Sequence, residues 1–203
     1  MKAQAAPPAS PRALRIAGAV LAGIAVCEAI PLVFAIGHLD RLLFRPQSLG
    51  AFAGALAIAG AYVGYSAQSP GIRRRIGTVG WITIPAVAVA ITAGIVEEIY
   101  FRQVLMNALR DAGVAAVVQV IVSGVTFGLF HAIWGIGSGW RVMRGAVVAT
   151  TMLGTAFAAL FVLDGRVVLP CVEAHVLVDL VLEPALVLYA VESALQRRTP
   201  ARR

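Results

Sequence analysis

Six long apolar stretches occupy most of this 203-residue chain and constrain its fold more than any other feature. Crossing the hydrocarbon core of a bilayer takes about 20 predominantly apolar residues in a helix, and each stretch is close to that length or longer. Only 13% of the residues are charged, whereas soluble domains carry about 25%. The sequence therefore predicts an all-α protein, a polytopic transmembrane helix bundle of about six spans. The predicted spans cover residues 13–37, 49–68, 81–101 (with the helix continuing to about Arg110), 114–134, 145–163 and 169–193.

The two ends of the chain differ from this apolar body. Residues 1–12 contain three prolines among alanine and serine, a composition that cannot bury itself, and we expect a disordered tail there. Residues 13–195 are expected to form one integral membrane domain, followed by a basic C-terminal tail at 196–203.

Glu28 interrupts the first apolar stretch, which is also too long for a signal peptide, so a retained span is favoured. Two interpretations of Glu28 remain, a minor cavity residue or a partner of an arginine at a helix end, and the second is favoured.

The distribution of positive charge predicts how the chain crosses the membrane. The net charge is +7, and the basic residues flank the spans, which indicates contact with anionic lipid headgroups and argues against nucleic acid as a partner. Six spans with both termini in the cytosol place twelve of the seventeen lysines and arginines on the cytosolic side and four in outer loops. This is the bias of the positive-inside rule. Because no eukaryotic targeting signal is present, we expect a prokaryotic plasma membrane.

Two adjacent carboxylates and an arginine lie in the third span, where a charged side chain costs about 2.5–3.5 kcal/mol near the bilayer centre. On a helix, Glu98 and Arg102 are four positions apart with the acid first, the favourable order for an ion pair. Glu97 is rotated by about 100° from Glu98 and has no basic residue three or four positions away. Glu98 is therefore predicted to pair with Arg102, and Glu97 to be the carboxylate free for chemistry.

Two histidines also lie within apolar spans. His131 follows Phe127 by four positions, so the two rings share a helix face. His175 precedes Asp179 by four positions, and this carboxylate can accept an N–H from the imidazole and fix its tautomer. Intramembrane ionisable residues normally face the bundle interior, so we expect these side chains and Glu97 to converge on one water-accessible cavity.

This set of side chains supports peptide hydrolysis without a covalent nucleophile. Glu97 can take a proton from water, His131 can orient that water, and His175 can donate to the oxyanion that forms at the peptide carbonyl. The same three side chains could instead hold Zn²⁺, with water as the fourth ligand. Straight spans in the orientation above would put Glu97 and His175 towards the outer face and His131 towards the inner face.

Three motifs in order on hydrophobic segments resemble those of the CAAX-protease and bacteriocin-processing (Abi) family of intramembrane proteases: Glu97-Glu98-x-x-x-Arg102, Phe127-x-x-x-His131 and His175-x-x-x-Asp179. The family includes the prenyl-protein endopeptidases, and the resemblance covers about residues 81–193. It implies a glutamate-dependent endopeptidase that acts on a peptide or protein substrate and requires no cofactor. In this family's pattern, Glu97 and His131 would activate water, while His175 and Asp179 would form the oxyanion site.

The last motif position departs from the prenyl-protein enzymes, which have asparagine where this chain has Asp179. An ionised aspartate cannot donate a hydrogen bond to an oxyanion. Asp179 would therefore be protonated, orient His175 or bind a cation. Two functions of other classes are also compatible with intramembrane acids and histidines: a non-catalytic membrane immunity or regulatory protein, and an ion or proton transporter.

Pairs of glycines four positions apart occur in two of the predicted spans. They are Gly50/Gly54 and Gly60/Gly64 in the second span and Gly124/Gly128 in the fourth. Small residues at this spacing let helix backbones approach closely, so all three pairs predict helix packing rather than chemistry.

Overall fold

The computed structural model describes residues 9–36, 39, 45–78, 80–136 and 138–198. The predicted disordered tail up to Pro8, most of the polar loop after the first span and the last five residues of the basic tail lie outside the described residues. The first helix begins at Pro11, because the Ser10 side chain accepts a hydrogen bond from the Ala13 amide at 3.1 Å and caps the helix. Two residues assigned to the tail, Pro11 and Arg12, are therefore helical.

Every regular element of the described chain is a helix, as the apolar stretches predict. Six of its helical segments are long and apolar enough to cross a membrane. The elements are α1 (Pro11–Ala35), α2 (Leu49–Ser66), the short α3 (Pro70–Arg73), α4 (Thr83–Glu98), a π-helical segment (Ile99–Leu105), α5 (Met106–Asp111), α6 (Ala116–Phe130), a 3₁₀ turn (His131–Gly135), α7 (Trp140–Leu163) and α8 (Leu169–Arg198).

Glycines bring two pairs of helices into close contact around the centre of the bundle. A Cβ on Gly128 of α6 would lie 2.8 Å from the Val147 carbonyl oxygen of α7, and one on Gly94 of α4 would lie 3.3 Å from the Val176 nitrogen of α8. These distances leave no room for a side chain. The approach of α4 to α8 places Glu98, one turn beyond Gly94, against the residue that precedes Val176.

The packing prediction holds for the glycine pair of α6 and fails for most of α2. Gly124 and Gly128 both face α7 closely, as predicted. Nothing in the described chain lies within 4 Å of a Cβ built on Gly60 or Gly64, whereas Gly54 faces a Leu160 methyl at 3.3 Å. Spacing alone does not distinguish a glycine at a helix interface from one on the outer surface.

Two apolar clusters hold the bundle together. One joins α2, α7 and α8 around Phe157, Phe161 and Leu182, all fully buried. The other joins α1, α4 and α8 around Leu21 and Leu188. Helix α8 belongs to both clusters, so its side chains face the interior along most of its length and it carries residues of the site described next.

Candidate active site

The helix that carries the two adjacent glutamates changes its geometry directly after them. Helix α4 ends at Glu98, and residues Ile99–Leu105 are π-helical before α5 resumes the α-helix. A π-helix frees backbone groups that neighbouring elements must satisfy, and such segments frequently occur at functional sites. Here the Ser123 hydroxyl of α6 donates to the Phe101 carbonyl at 3.2 Å. The π-helical geometry is a feature that the sequence did not predict.

Arg102, on the π-helical segment, forms the predicted ion pair with Glu98. The Arg102 Nε lies 3.0 Å from Glu98 Oε2, and both side chains are fully buried. The Nε–H is not directed at this oxygen well enough for a hydrogen bond, so the contact is an ion pair. Arg102 Nη2 also donates to the Gly154 carbonyl at 3.1 Å, and the guanidinium carbon lies 4.7 Å from the Phe127 ring centroid. These contacts offset the free-energy cost of burying the charged guanidinium in an apolar environment.

Glu98 has a second partner that the sequence did not reveal. Its Oε1 lies 2.7 Å from His175 Nδ1, across the close contact between α4 and α8. Because a carboxylate can only accept, Nδ1 carries the hydrogen of this bond. Glu98 therefore links Arg102 to His175, which are 73 positions apart in the sequence.

Glu97 lies on the neighbouring face, opposite His131. Its Oε2 is 4.0 Å from His131 Nε2, and this oxygen has no hydrogen-bond partner in the described chain. His131 Nδ1 lies 2.8 Å from the Phe127 carbonyl oxygen, which can only accept, so Nδ1 carries the ring hydrogen. Nε2 is then left as an acceptor that faces Glu97. When Glu97 is ionised, two acceptors therefore face each other at a distance too long for a direct hydrogen bond.

His175 is held between two carboxylates. Its Nδ1 meets Glu98, and its Nε2 lies 3.4 Å from Asp179 Oδ2, the i,i+4 contact that the sequence predicts. The Phe127 ring centroid lies 4.7 Å from that of His131 and 5.8 Å from that of His175. Phe127 therefore packs against both imidazoles and restricts their orientation.

The predicted difference in depth between Glu97 and His131 is wrong. The helical span that contains Glu97 runs over 29 residues, from Thr83 to Asp111, so Glu97 lies near its middle rather than towards its outer end. His131 closes α6 in a 3₁₀ turn near the end of a 20-residue span. Unequal helix lengths thus bring the two side chains to the same level.

A largely apolar cavity of about 830 Å³ opens onto these residues. Glu97, His131, His175 and Asp179 all lie in its wall, as convergence on one cavity predicts. Glu28 also lies in the wall, which supports its interpretation as a cavity residue, and it forms no ion pair with another described residue. Further cavity residues that sequence reasoning did not select are Glu183, Tyr62 and Arg141.

A family model described as type II CAAX prenyl endopeptidase Rce1-like matches residues 79–181, just over half of the chain. This chain belongs to that family. The resemblance derived from the three motifs is confirmed, and the Rce1-like match covers every residue of those motifs. At the level of the family, the chain is an intramembrane CAAX-type protease, which implies a lipid environment and a peptide substrate. No curated protein and no solved structure shows significant similarity to the chain.

Parts of the cavity wall lie outside the Rce1-like match. Glu28 and Tyr62 belong to α1 and α2, which precede the matched residues, and Glu183 follows them. Glu183 is one helical turn beyond Asp179, which is itself one turn beyond His175. The four-residue spacing of these three ionisable residues was the available signal that Glu183 shares their helix face.

The zinc alternative requires Glu97, His131 and His175 as ligands of one ion. Within the described residues of this Rce1-like chain, no three His, Cys, Asp or Glu side chains are arranged to hold a metal. Each nitrogen of His175 already faces a carboxylate, Glu98 on one side and Asp179 on the other. The donor set as it stands therefore does not fit a zinc centre.

Proposed function

We propose that this protein is an intramembrane endopeptidase in which Glu97 and His131 together activate the attacking water. The observation that carries the proposal is the pair of acceptors 4.0 Å apart, Glu97 Oε2 and His131 Nε2. A water oxygen about 2.8 Å from each acceptor would see them at an angle of about 90°, close to the angle between its own two O–H bonds. One water can therefore donate to both groups at once.

The hydrolytic step follows from this arrangement. The water oxygen attacks the peptide carbonyl carbon as one of its protons passes to Glu97, and the carbonyl becomes an oxyanion. The proton then moves to the leaving nitrogen as the oxyanion re-forms the carbonyl and the C–N bond breaks, which leaves a carboxylic acid and an amine. The apolar cavity wall supports the step because it keeps bulk water away from the reacting groups.

His175 and Asp179 are proposed to stabilise the oxyanion. Glu98 holds His175 through Nδ1, which directs Nε2 and its hydrogen towards Asp179 and the cavity. An ionised Asp179 would repel the developing charge, whereas a protonated one donates a hydrogen bond to it. We therefore propose that one proton is shared between His175 Nε2 and Asp179 and becomes available to the oxyanion. No step requires a metal.

The direction of access is also a proposal. The cavity runs past Arg141, at the start of α7, and the same end of the bundle carries the three arginines at 73–75 and Arg197. The positive-inside rule assigns such an end to the cytosol. We propose that both termini are cytosolic, that the substrate enters from that side and that the membrane is a prokaryotic plasma membrane.

The test compares wild type with Glu97→Gln in proteoliposomes. The substrates are prenylated and unprenylated CAAX-type peptides, and mass spectrometry detects the products. Loss of a general base lowers rates by about 10²–10⁴-fold, and we expect a loss in that range. The matched control is Glu173→Gln, because Glu173 bonds to Gln47 at 2.9 Å and lies outside the cavity wall.

Two results would contradict the proposal. Cleavage by a folded Glu97→Gln protein within tenfold of wild type would remove Glu97 from its role. Ion flux through wild-type proteoliposomes without cleavage of any peptide would favour a transporter.

A further inference from the structure

Arg141 is the one arginine or lysine among the described residues of the cavity wall. It lies at the first turn of α7, is exposed and forms no hydrogen bond or ion pair with any described residue. The other ionisable residues of the wall are acids, histidines, tyrosines and one cysteine, and the acids are Glu28, Glu97, Asp179 and Glu183. The cavity is thus acidic along its interior and cationic at one end.

This arrangement determines where a substrate anion can bind. A carboxylate near Glu97 or Glu183 would meet like charges in a medium of low dielectric constant, which is unfavourable. At Arg141 the same group would meet a guanidinium that has fixed donor geometry and no competing partner. Away from the reacting groups, a carboxylate of the substrate is therefore favoured at the Arg141 end.

The packing of α6 against α7 gives the spacing between Arg141 and the reacting groups. A Cβ on Gly128 would contact the Val147 carbonyl, and one on Gly135 would contact the Met143 side chain. His131 lies between these two glycines, so its level on α7 is close to residue 145. Arg141 is four residues further along α7, which corresponds to about 6 Å at 1.5 Å per residue. Its side chain leans still further towards the helix N-terminus.

We propose that Arg141 binds a carboxylate of the peptide substrate two or three residues from the scissile bond. An extended peptide advances about 3.3 Å per residue, so two or three residues cover the distance from the level of His131 to the guanidinium. The carboxylate belongs either to the C-terminus of the substrate or to an aspartate or glutamate side chain. This proposal rests on the proposed peptidase function and adds a specificity determinant to it.

The first experiment measures binding without requiring catalysis. Glu97→Gln protein in nanodiscs is titrated against a dansyl-labelled apolar hexapeptide in three forms: the free acid, the C-terminal amide, and the amide with one aspartate three residues from its end. We expect one of the two carboxylate forms to bind about tenfold more tightly than the plain amide, since a partly exposed charge-assisted hydrogen bond contributes on that scale. The form that gains affinity identifies the source of the carboxylate.

Two substitutions in the Glu97→Gln background test the assignment. Arg141→Ala should abolish the tenfold preference, and Arg141→Lys should keep part of it. Arg144→Ala is the matched control, because Arg144 is exposed on the same helix and removes the same charge but lies outside the cavity wall. It should leave the preference within twofold.

Four results would overturn the proposal. Equal binding of all three peptides means that no carboxylate is selected, and no binding of any peptide means that Arg141 meets none. An equal loss in Arg144→Ala and Arg141→Ala assigns the effect to general surface charge or to lipid headgroups. If wild type cleaves all three peptides equally well, and Arg141→Ala does the same, only the role of Arg141 fails and the proposed peptidase function stands.

Discussion

The buried network around Glu98 makes a quantitative prediction about stability. Glu98 neutralises Arg102 at 3.0 Å and accepts from His175 at 2.7 Å, and all three side chains are at least nine-tenths buried. Replacement of Glu98 by methionine keeps a similar length but removes both the charge and the acceptor. Arg102 would then be a buried cation without an acidic partner in the described chain.

Removal of one partner of a buried ion pair costs about 3–5 kcal/mol. Arg102 would keep its hydrogen bond to Gly154 and its position over the Phe127 ring, which limits the loss. A cation over an aromatic face is stabilised by up to about 2 kcal/mol when it is desolvated. We therefore expect Glu98→Met to lower the free energy of unfolding by about 3 kcal/mol, the lower end of that range.

The converse substitution should cost less. In Arg102→Met, Glu98 still has the His175 imidazole as a partner, so no buried charge is left alone. The double variant Glu98→Met/Arg102→Met removes both charges together, and it should regain at least half of the stability that Glu98→Met loses. The double variant should nevertheless not cleave substrate, because His175 Nδ1 no longer has the Glu98 carboxylate as its hydrogen-bond acceptor.

Equilibrium unfolding in mixed micelles, followed by circular dichroism, measures the free energy of unfolding of wild type, the two single variants and the double variant. If Glu98 and Arg102 stabilise each other as a buried ion pair, the thermodynamic cycle gives an interaction free energy between them of about 1.5 kcal/mol or more. A double variant as unstable as Glu98→Met would refute the argument. Cleavage by the double variant at the wild-type rate would refute the role of Glu98 in positioning His175.

Three further predictions concern other parts of the molecule. Gly128→Ala should lower the free energy of unfolding by about 1–3 kcal/mol, since its Cβ would meet the Val147 carbonyl at 2.8 Å. Gly60→Ala is the control and should not destabilise the fold, because nothing in the described chain lies within 4 Å of a Cβ at that position. Equal effects of the two substitutions on thermal unfolding would contradict the close packing of α6 against α7. Asp179→Asn should keep the cleavage rate within about tenfold of wild type, because asparagine still donates to an oxyanion, whereas Asp179→Ala should lose about 10²-fold. An asparagine variant as slow as the alanine variant would refute the role of residue 179 as a hydrogen-bond donor. A strong chelator should leave the rate of wild type unchanged, and inactivation that Zn²⁺ reverses would show that a metal is required.

The number and approximate bounds of the membrane spans could be predicted because the bilayer itself sets the requirement. A helix must bury its backbone hydrogen bonds and supply about 20 apolar residues, and both conditions can be tested along the sequence. The ion pair between Glu98 and Arg102 could be predicted for a similar reason, since a four-residue spacing is local. These features depend on one helix at a time.

The contacts that build the site depend on how helices pack, and sequence spacing does not contain that information. Glu98 reaches His175 because Gly94 lets α4 approach α8, and nothing in the local sequence of either helix identifies the other as its neighbour. The predicted depth of His131 relative to Glu97 was wrong for the same reason. The length of a span does not determine how far its helix is shifted along the neighbouring helices. Sequence spacing could not decide between the two interpretations of Glu28, because the cavity that it faces exists only after α1 packs against the remainder of the bundle.

The two adjacent glutamates differ in how the cost of removing a carboxylate from water is compensated. Both carboxylates leave water, yet Glu98 is compensated by Arg102 and His175, while Glu97 keeps a buried oxygen without a partner. An unsatisfied buried acceptor costs about 1–3 kcal/mol, and a structure retains one only where something else offsets the cost. A water bound between Glu97 and His131 would supply the missing hydrogen bond, and this is the same water that the proposed reaction consumes. In the proposed mechanism the unsatisfied acceptor therefore accounts for both the binding of the nucleophile and its activation, because the group that lacks a hydrogen bond in the resting protein is the group proposed to remove the proton.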